Sequence, residues 1–283
     1  MDKLTKYRKK QNTGDRKVKW IIKILQVLWH IIILCDFFAR SFFIRLFNRD
    51  SVKRRQKEIK NTKRAANWFL RSFNVKLKVK NPELLARLTG EKYLVVSNHS
   101  SFLDIFILGA VEKYVFITST QMSETPVLGS IVRNGGCLYT DRKKKVNLPQ
   151  EIKRFTEVLS SGFKVVLFPE QAGTDGSTVK EFWRSLFQVA VDAGSTVLPA
   201  CIRYKRLDGK PITDENRSVV SWYEGINFLK YYWNLMARKL EAELCFLDPL
   251  EFDPTRNRSE LSDLAYERVR DAFHSYDAQY NLQ

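Results

Sequence analysis

Past residue 64, short apolar runs alternate with helix-forming stretches, and that alternation constrains the fold more than any single motif does. Val75–Val79 alternates apolar and basic residues as a half-buried strand does, and Tyr93–Val96 reads as a fully buried one. Tyr114–Thr118, Cys137–Thr140, Lys164–Phe168 and Thr196–Arg203 are further strand candidates. Pro82–Leu88, Phe102–Val111, Leu148–Leu159 and Phe182–Ala193 fall between them as helices. Strands at Ser218–Trp222 and Ala242–Leu247, with helices near Phe228–Leu240 and Glu260–Ser275, complete the series. Strands separated by helical stretches predict an α/β domain: a mostly parallel sheet flanked by helices on both faces.

The chain has 283 residues, 44% of them hydrophobic, which is enough for a full-sized core as one large domain or a domain with an appendage. Cys35, Cys137, Cys201 and Cys245 are far apart and form no C-x-x-C pair, which argues against a disulfide framework or zinc site. No cleavable secretory signal is evident. The net charge of +17 is unevenly placed: residues 1–64 hold 19 Lys/Arg against 5 Asp/Glu, and the remainder holds 29 against 26. The reading is therefore a basic, apolar anchoring segment over residues 1–64 and an α/β domain over 65–283.

Trp20–Phe47 is greasy and flanked by Arg16-Lys17 and Lys53-Arg54-Arg55. Its longest charge-free stretch, Ile24–Cys35, is twelve residues, short of the roughly 20 that a spanning helix needs. Asp36, Arg40 and Arg45 interrupt the second half of the segment. Monotopic attachment through residues 18–47 at the cytoplasmic face of a membrane, basic edges against anionic headgroups, is the preferred expectation. A short tilted span and a partner-binding helix are the alternatives. The stretch is too long and apolar for a nucleic-acid arm, so membrane lipids, not nucleic acid, are the expected partner.

Asn98-His99-Ser100-Ser101-Phe102-Leu103-Asp104 leaves the buried Tyr93–Val96 strand. Histidine is scarce, at three residues. A carboxylate can hold one ring nitrogen protonated and leave the other to take a proton from a hydroxyl. Positions five apart on one helix lie about 140° apart, so His99 and Asp104 meet only if His99 sits in the turn and Asp104 in the first helical turn. Ser100 or Ser101 is a natural cap there. An isolated His-x4-Asp more often marks a satisfied buried histidine or a helix-capping residue, and other segments must decide. Three do. Gly135–Arg142 is a glycine-led strand ending in an arginine that could bind phosphate. Val165–Gly173 is a buried strand breaking at Pro169 into Glu170, where open α/β sheets bind ligands. Thr196–Ala200 carries Pro199, which usually marks an edge or a bulge.

In order and spacing these four segments resemble the blocks of the glycerolipid and lysophospholipid acyltransferase family, over about Asn74 to Val219. N-H-x4-D falls on Asn98, His99 and Asp104, the glycine-led strand on Gly136 to Arg142, F-P-E on Phe168, Pro169 and Glu170, and the proline strand on Pro199. The resemblance implies base-catalysed acyl transfer, with His99 and Asp104 catalytic. It implies acceptor binding by Gly136 and Glu170 at the glycerol portion and Arg142 at the phosphate, with Asn98, Phe168 and Pro169 beside them. The donor would be acyl-CoA or acyl carrier protein as a substrate, and the acceptor a lysophospholipid, foremost 1-acylglycerol-3-phosphate. No metal or other cofactor is implied. One departure bears on the acceptor: Gln171–Gly176 lacks the arginine that often follows F-P-E. Together with Phe182–Phe187 and Ser221-Trp222-Tyr223, this is similar to the subgroup that includes ornithine-lipid acyltransferases, which keeps a lyso-ornithine lipid acceptor open. A non-catalytic membrane-shaping protein is the remaining alternative, disfavoured because such a chain would have no need of His99, Asp104 and Glu170 together.

Overall fold

The computed structural model describes residues 3–280 apart from 142–144, 172 and 224. In chain order the elements are α1 (Lys3–Phe47), α2 (Ser51–Ser72), β1 (Val75–Lys80), α3 (Glu83–Arg87), β2 (Tyr93–Ser97) and α4 (Leu103–Val111). Then come β3 (Val115–Ser119), α5 (Thr120–Glu124), α6 (Leu128–Asn134), β4 (Leu138–Thr140), α7 (Leu148–Ser160) and β5 (Val165–Leu167). The last are α8 (Gln188–Ala193), β6 (Thr196–Leu207), β7 (Lys210–Pro211), α9 (Phe228–Leu235), β8 (Leu240–Phe246) and α10 (Arg258–Tyr280).

The sheet order is β1-β8-β6-β2-β5-β3-β4, with β7 paired to β6. β6, β2, β5, β3 and β4 are mutually parallel, while β8 pairs antiparallel with β6 and carries β1 parallel to itself. The sheet is therefore mostly parallel, with a reversed flank. One face buries Leu94, Val96, Val165 and Leu167 against α7, α8 and α10; the other buries Tyr93, Val95 and Val166 against Ile107 and Leu108 of α4. A third cluster joins Ile33 and Phe37 of α1 to Phe69 and Phe73 around α2 and to Tyr231 and Leu235 of α9. Asp50 starts α2 by accepting the Lys53 N–H at 2.7 Å.

Pro199 sits in an interior strand, not at an edge. Its carbonyl accepts the Leu247 N–H at 2.9 Å, so the absent proline N–H faces the β8 side, just beyond the end of β8 at Phe246. No bond to β2 is lost. The stretch read as a strand over Ser218–Trp222 is instead a 3-10 turn, Arg217–Val219, followed by irregular chain. Its Trp222 N–H is used elsewhere, on the Ser100 carbonyl at 2.8 Å. The helix read from Phe182 starts with Trp183 donating to the Pro169 carbonyl at 2.9 Å, then a 3-10 turn over Arg184–Phe187, before α8. The helix read to Leu240 stops at Leu235, because Leu240 pairs with Val75 in the sheet.

Residue 64 lies inside α2, which packs on both α1 and α4, so a division there cuts a continuous helix. Lys17–Phe47 of α1 is 31 residues, long and apolar enough to cross a bilayer, and 17% of its most apolar window is buried. The charges that interrupt it are paired: Asp36 with Arg40 at 2.9 Å and with Arg64, and Arg45 with Glu58 at 3.3 Å.

Candidate active site

His99 leaves the carboxyl end of β2 and Asp104 lies in the first turn of α4, as the five-residue spacing requires. His99 Nδ1 is 2.9 Å from Asp104 Oδ2. The same oxygen accepts the Ser100 N–H at 2.8 Å and the Ser101 N–H at 2.9 Å. Asp104 Oδ1 accepts the Tyr204 hydroxyl at 2.5 Å. The aspartate is fully buried, and four donors compensate for its desolvation. Tyr204 is pushed well above the ordinary phenol range, chiefly by burial and next by the charge of Asp104, so it remains an O–H donor. Capping falls to Ser101, whose hydroxyl accepts the Leu103 N–H at 3.2 Å and meets the Tyr231 hydroxyl at 2.8 Å. Tyr231 in turn donates to the Val220 carbonyl at 2.7 Å.

The imidazole stacks on Phe168, with ring centroids 4.2 Å apart and planes at 22°. With Nδ1 donating to Asp104, Nε2 carries the free lone pair; it makes no hydrogen bond among the described residues, and the side chain is 19% exposed. Glu170 holds the backbone of the same histidine. Its Oε1 accepts the His99 N–H at 2.6 Å and its Oε2 the Lys180 N–H at 2.8 Å. Burial pushes its carboxyl up to about 7, against the pull of the Lys180 and His99 amides. The loop after it is tight. Gln171 has φ +65°, and a Cβ on Gly173 would lie 2.3 Å from the Trp222 carbonyl oxygen, a contact only glycine escapes. Thr174 N–H closes the loop onto the His99 carbonyl at 2.9 Å.

His99, Asp104, Phe168 and Glu170 are thus brought together, and Pro169 joins them through the backbone. Asn98 turns away: its side chain pairs in both directions with the Ile202 backbone, at 2.8 and 2.9 Å, stapling β2 to β6. Gly136 precedes Leu138, which the register aligns through β3 and β5 with Val96. It packs on Glu58 and Arg55 of α2, towards the sheet end opposite His99. Arg142 lies outside the described residues. Sequence reading missed Tyr204 and Tyr231 and met Trp222 only as part of a subgroup resemblance; all three hold the loop. Tyr204 had a signal: it shares the buried face of Ala200 and Ile202, and a buried phenol needs a partner. No group of three or more His, Cys, Asp or Glu able to hold a metal occurs among the described residues.

The acyltransferase family profile matches residues 76–203. The chain is similar to a lyso-ornithine lipid O-acyltransferase of Rhizobium meliloti, 27% identical over 62% of this chain and 63% of that protein. It is also similar to a 1-acyl-sn-glycerol-3-phosphate acyltransferase of Neisseria gonorrhoeae, 30% identical over 62% of this chain and 68% of that one. The match thus spans about two thirds of these relatives' length. The crystal structure of the 1-acyl-sn-glycerophosphate acyltransferase PlsC of Thermotoga maritima shares the fold, with TM-score 0.65 over 92% of this chain and 98% of that one at 18% identity. On the strength of the Neisseria match and a profile lying over His99, Asp104 and Glu170, the chain belongs to the glycerolipid and lysophospholipid acyltransferase family.

Proposed function

We propose that the protein transfers a fatty acyl group from a thioester donor, acyl-CoA or acyl carrier protein, to the free hydroxyl of a lysolipid. The observation that carries this reading is the His99–Asp104 pair, 2.9 Å apart, with the carboxylate locked by three further donors. His99 Nε2 takes the hydroxyl proton and the oxygen attacks the thioester carbonyl carbon. The carbon–sulfur bond then breaks and the thiolate recovers the proton from the imidazolium. Asp104 fixes the tautomer and stabilises the imidazolium, while Phe168 stacks on the ring and Glu170 holds the His99 backbone.

The acceptor we favour is 1-acylglycerol-3-phosphate, giving phosphatidic acid. Lyso-ornithine lipid is the second reading, favoured by the absence of an arginine from Gln171–Gly176. Anchoring at the cytoplasmic face through α1 would bring a bilayer acceptor and a cytosolic donor together. The helix lies flush against the domain: Lys23 reaches the Trp233 carbonyl, Gln26 the Ser72 carbonyl, both at 2.6 Å, and Arg45 the Arg133 carbonyl. Contacts along that length support a surface-lying helix over one that crosses the bilayer alone. Offering the purified protein a panel of lysolipids with each thioester donor, with products identified by mass spectrometry, tests the proposal. No acyl product from any combination would refute it.

A further inference from the structure

A cavity of about 110 Å³ opens one residue past the base. Its walls come from Ser100, from Gly176 after the F-P-E turn, from Arg203 and Tyr204 at the far end of β6, and from Arg217 and Ser221. It lies at the carboxyl ends of β2 and β6, the side of an open sheet where ligands collect. Tyr204 connects it to the reaction: the side chain that lines the cavity also donates to Asp104. The lining chemistry is specific. The Arg203 guanidinium lies over the Phe273 ring, 4.7 Å from its centroid. Arg217 packs on Gly176, whose φ is +77° and where a Cβ would stand 2.8 Å from Ser221 Oγ and 3.4 Å from Arg217 Cδ. Arg217 also meets Asp214, and Asp175 at 4.0 Å, but these carboxylates are 91% and 52% exposed, so both pairs are weakened by solvent and can exchange for a buried anion. Arg203, Arg217, Ser100 and Ser221 share this lining, a donor set whose chemistry suits a compact oxyanion.

We infer that this cavity seats the anionic headgroup of the acceptor, a phosphomonoester or a carboxylate, and that Arg217 determines specificity for it. The inference rests on the acyl-transfer function proposed for the His99 site. The test measures kcat and KM of wild type, Arg217→Gln and Arg217→Lys on lysophosphatidate, lyso-ornithine lipid and uncharged monoacylglycerol, and separately follows thermal unfolding with inorganic phosphate. Arg217→Gln is expected to lower the kcat/KM preference for the anionic acceptor over monoacylglycerol at least tenfold, through acceptor KM, with Arg217→Lys between. A larger fall on lysophosphatidate assigns a phosphomonoester, and one on lyso-ornithine lipid a carboxylate. Phosphate should raise the unfolding midpoint of wild type and not of Arg217→Gln. An unchanged preference, or a shift in donor KM instead, overturns the inference. No turnover on any acceptor, with phosphate protection still lost in Arg217→Gln, would refute the acyl-transfer reading and leave the anion site standing. If Arg217→Gln does not fold, Ser221→Asp, which adds a like charge to the cavity wall, must lower the same preference.

Discussion

Around Asp104 the chain supplies every partner a buried carboxylate needs, from its own backbone and from a strand a hundred residues on. Along α1 it does the reverse. Trp20, Ile21, Leu25, Leu28, Phe42, Phe43 and Phe47 stand exposed on one long helix whose Asp36, Arg40 and Arg45 are turned into ion pairs. The first region is complete within the protein. The second leaves seven large apolar side chains open on one helix, a surface that lipid would cover. A reacting geometry must be fixed to fractions of an ångström, while an anchor needs only area.

The sharpest way to break this contrast is at the base. His99→Ala should lower kcat by about 10³-fold or more while the protein still folds; a folded variant turning over at the wild-type rate would refute the role of His99. Asp104→Asn should leave a residual rate roughly 10²-fold below wild type, and should also lose stability, because an amide cannot accept from all four donors. For the anchor, Ile21→Ser with Leu25→Ser and Leu28→Ser removes three exposed side chains, each worth about 1.5–3 kcal/mol if buried in lipid. Flotation with anionic vesicles should show a partition coefficient down by at least about 10³-fold, and stability in detergent should be unchanged. Equal flotation would mean that α1 is not the anchor.

Smaller effects probe the groups that hold the pair in place. Tyr204→Phe removes one bond to a charged acceptor, a loss of about 1.5–3 kcal/mol, and should lower kcat about tenfold with little change in acceptor KM. Glu170 gives a pH signature. Its carboxyl stands at about 7 when folded against an ordinary value of 4.5. The folded state therefore holds the proton more tightly, and the stability it contributes is present below pH 4.5 and lost as pH rises through 7. Urea midpoints should fall over that window in wild type, and Glu170→Gln should flatten the slope.

Most of the fold was legible because buried parallel strands are short and apolar, and Tyr93–Val96 and Val165–Phe168 could hardly be anything else. Ser218–Trp222 misled because its apolar residues, Val220 above all, are buried by loop packing and not by a sheet. The His99–Asp104 pair could be read because both residues lie within one turn. The roles of Tyr204 and Arg217 were harder to read, since Tyr204 acts across a hundred residues and Arg217 across about forty, distances that spacing alone does not encode. Asn98 and Gly136 show the converse: position in a recognisable block does not tell which way a side chain or a strand end faces.

The double duty of the two acids changes how a silent descendant of this chain would look. Asp104 and Glu170 each tie down backbone amides, so drift that abolished turnover would still be held back at both positions by the requirements of folding. The imidazole ties down no backbone amide, which makes His99 the position where loss of turnover would first be written.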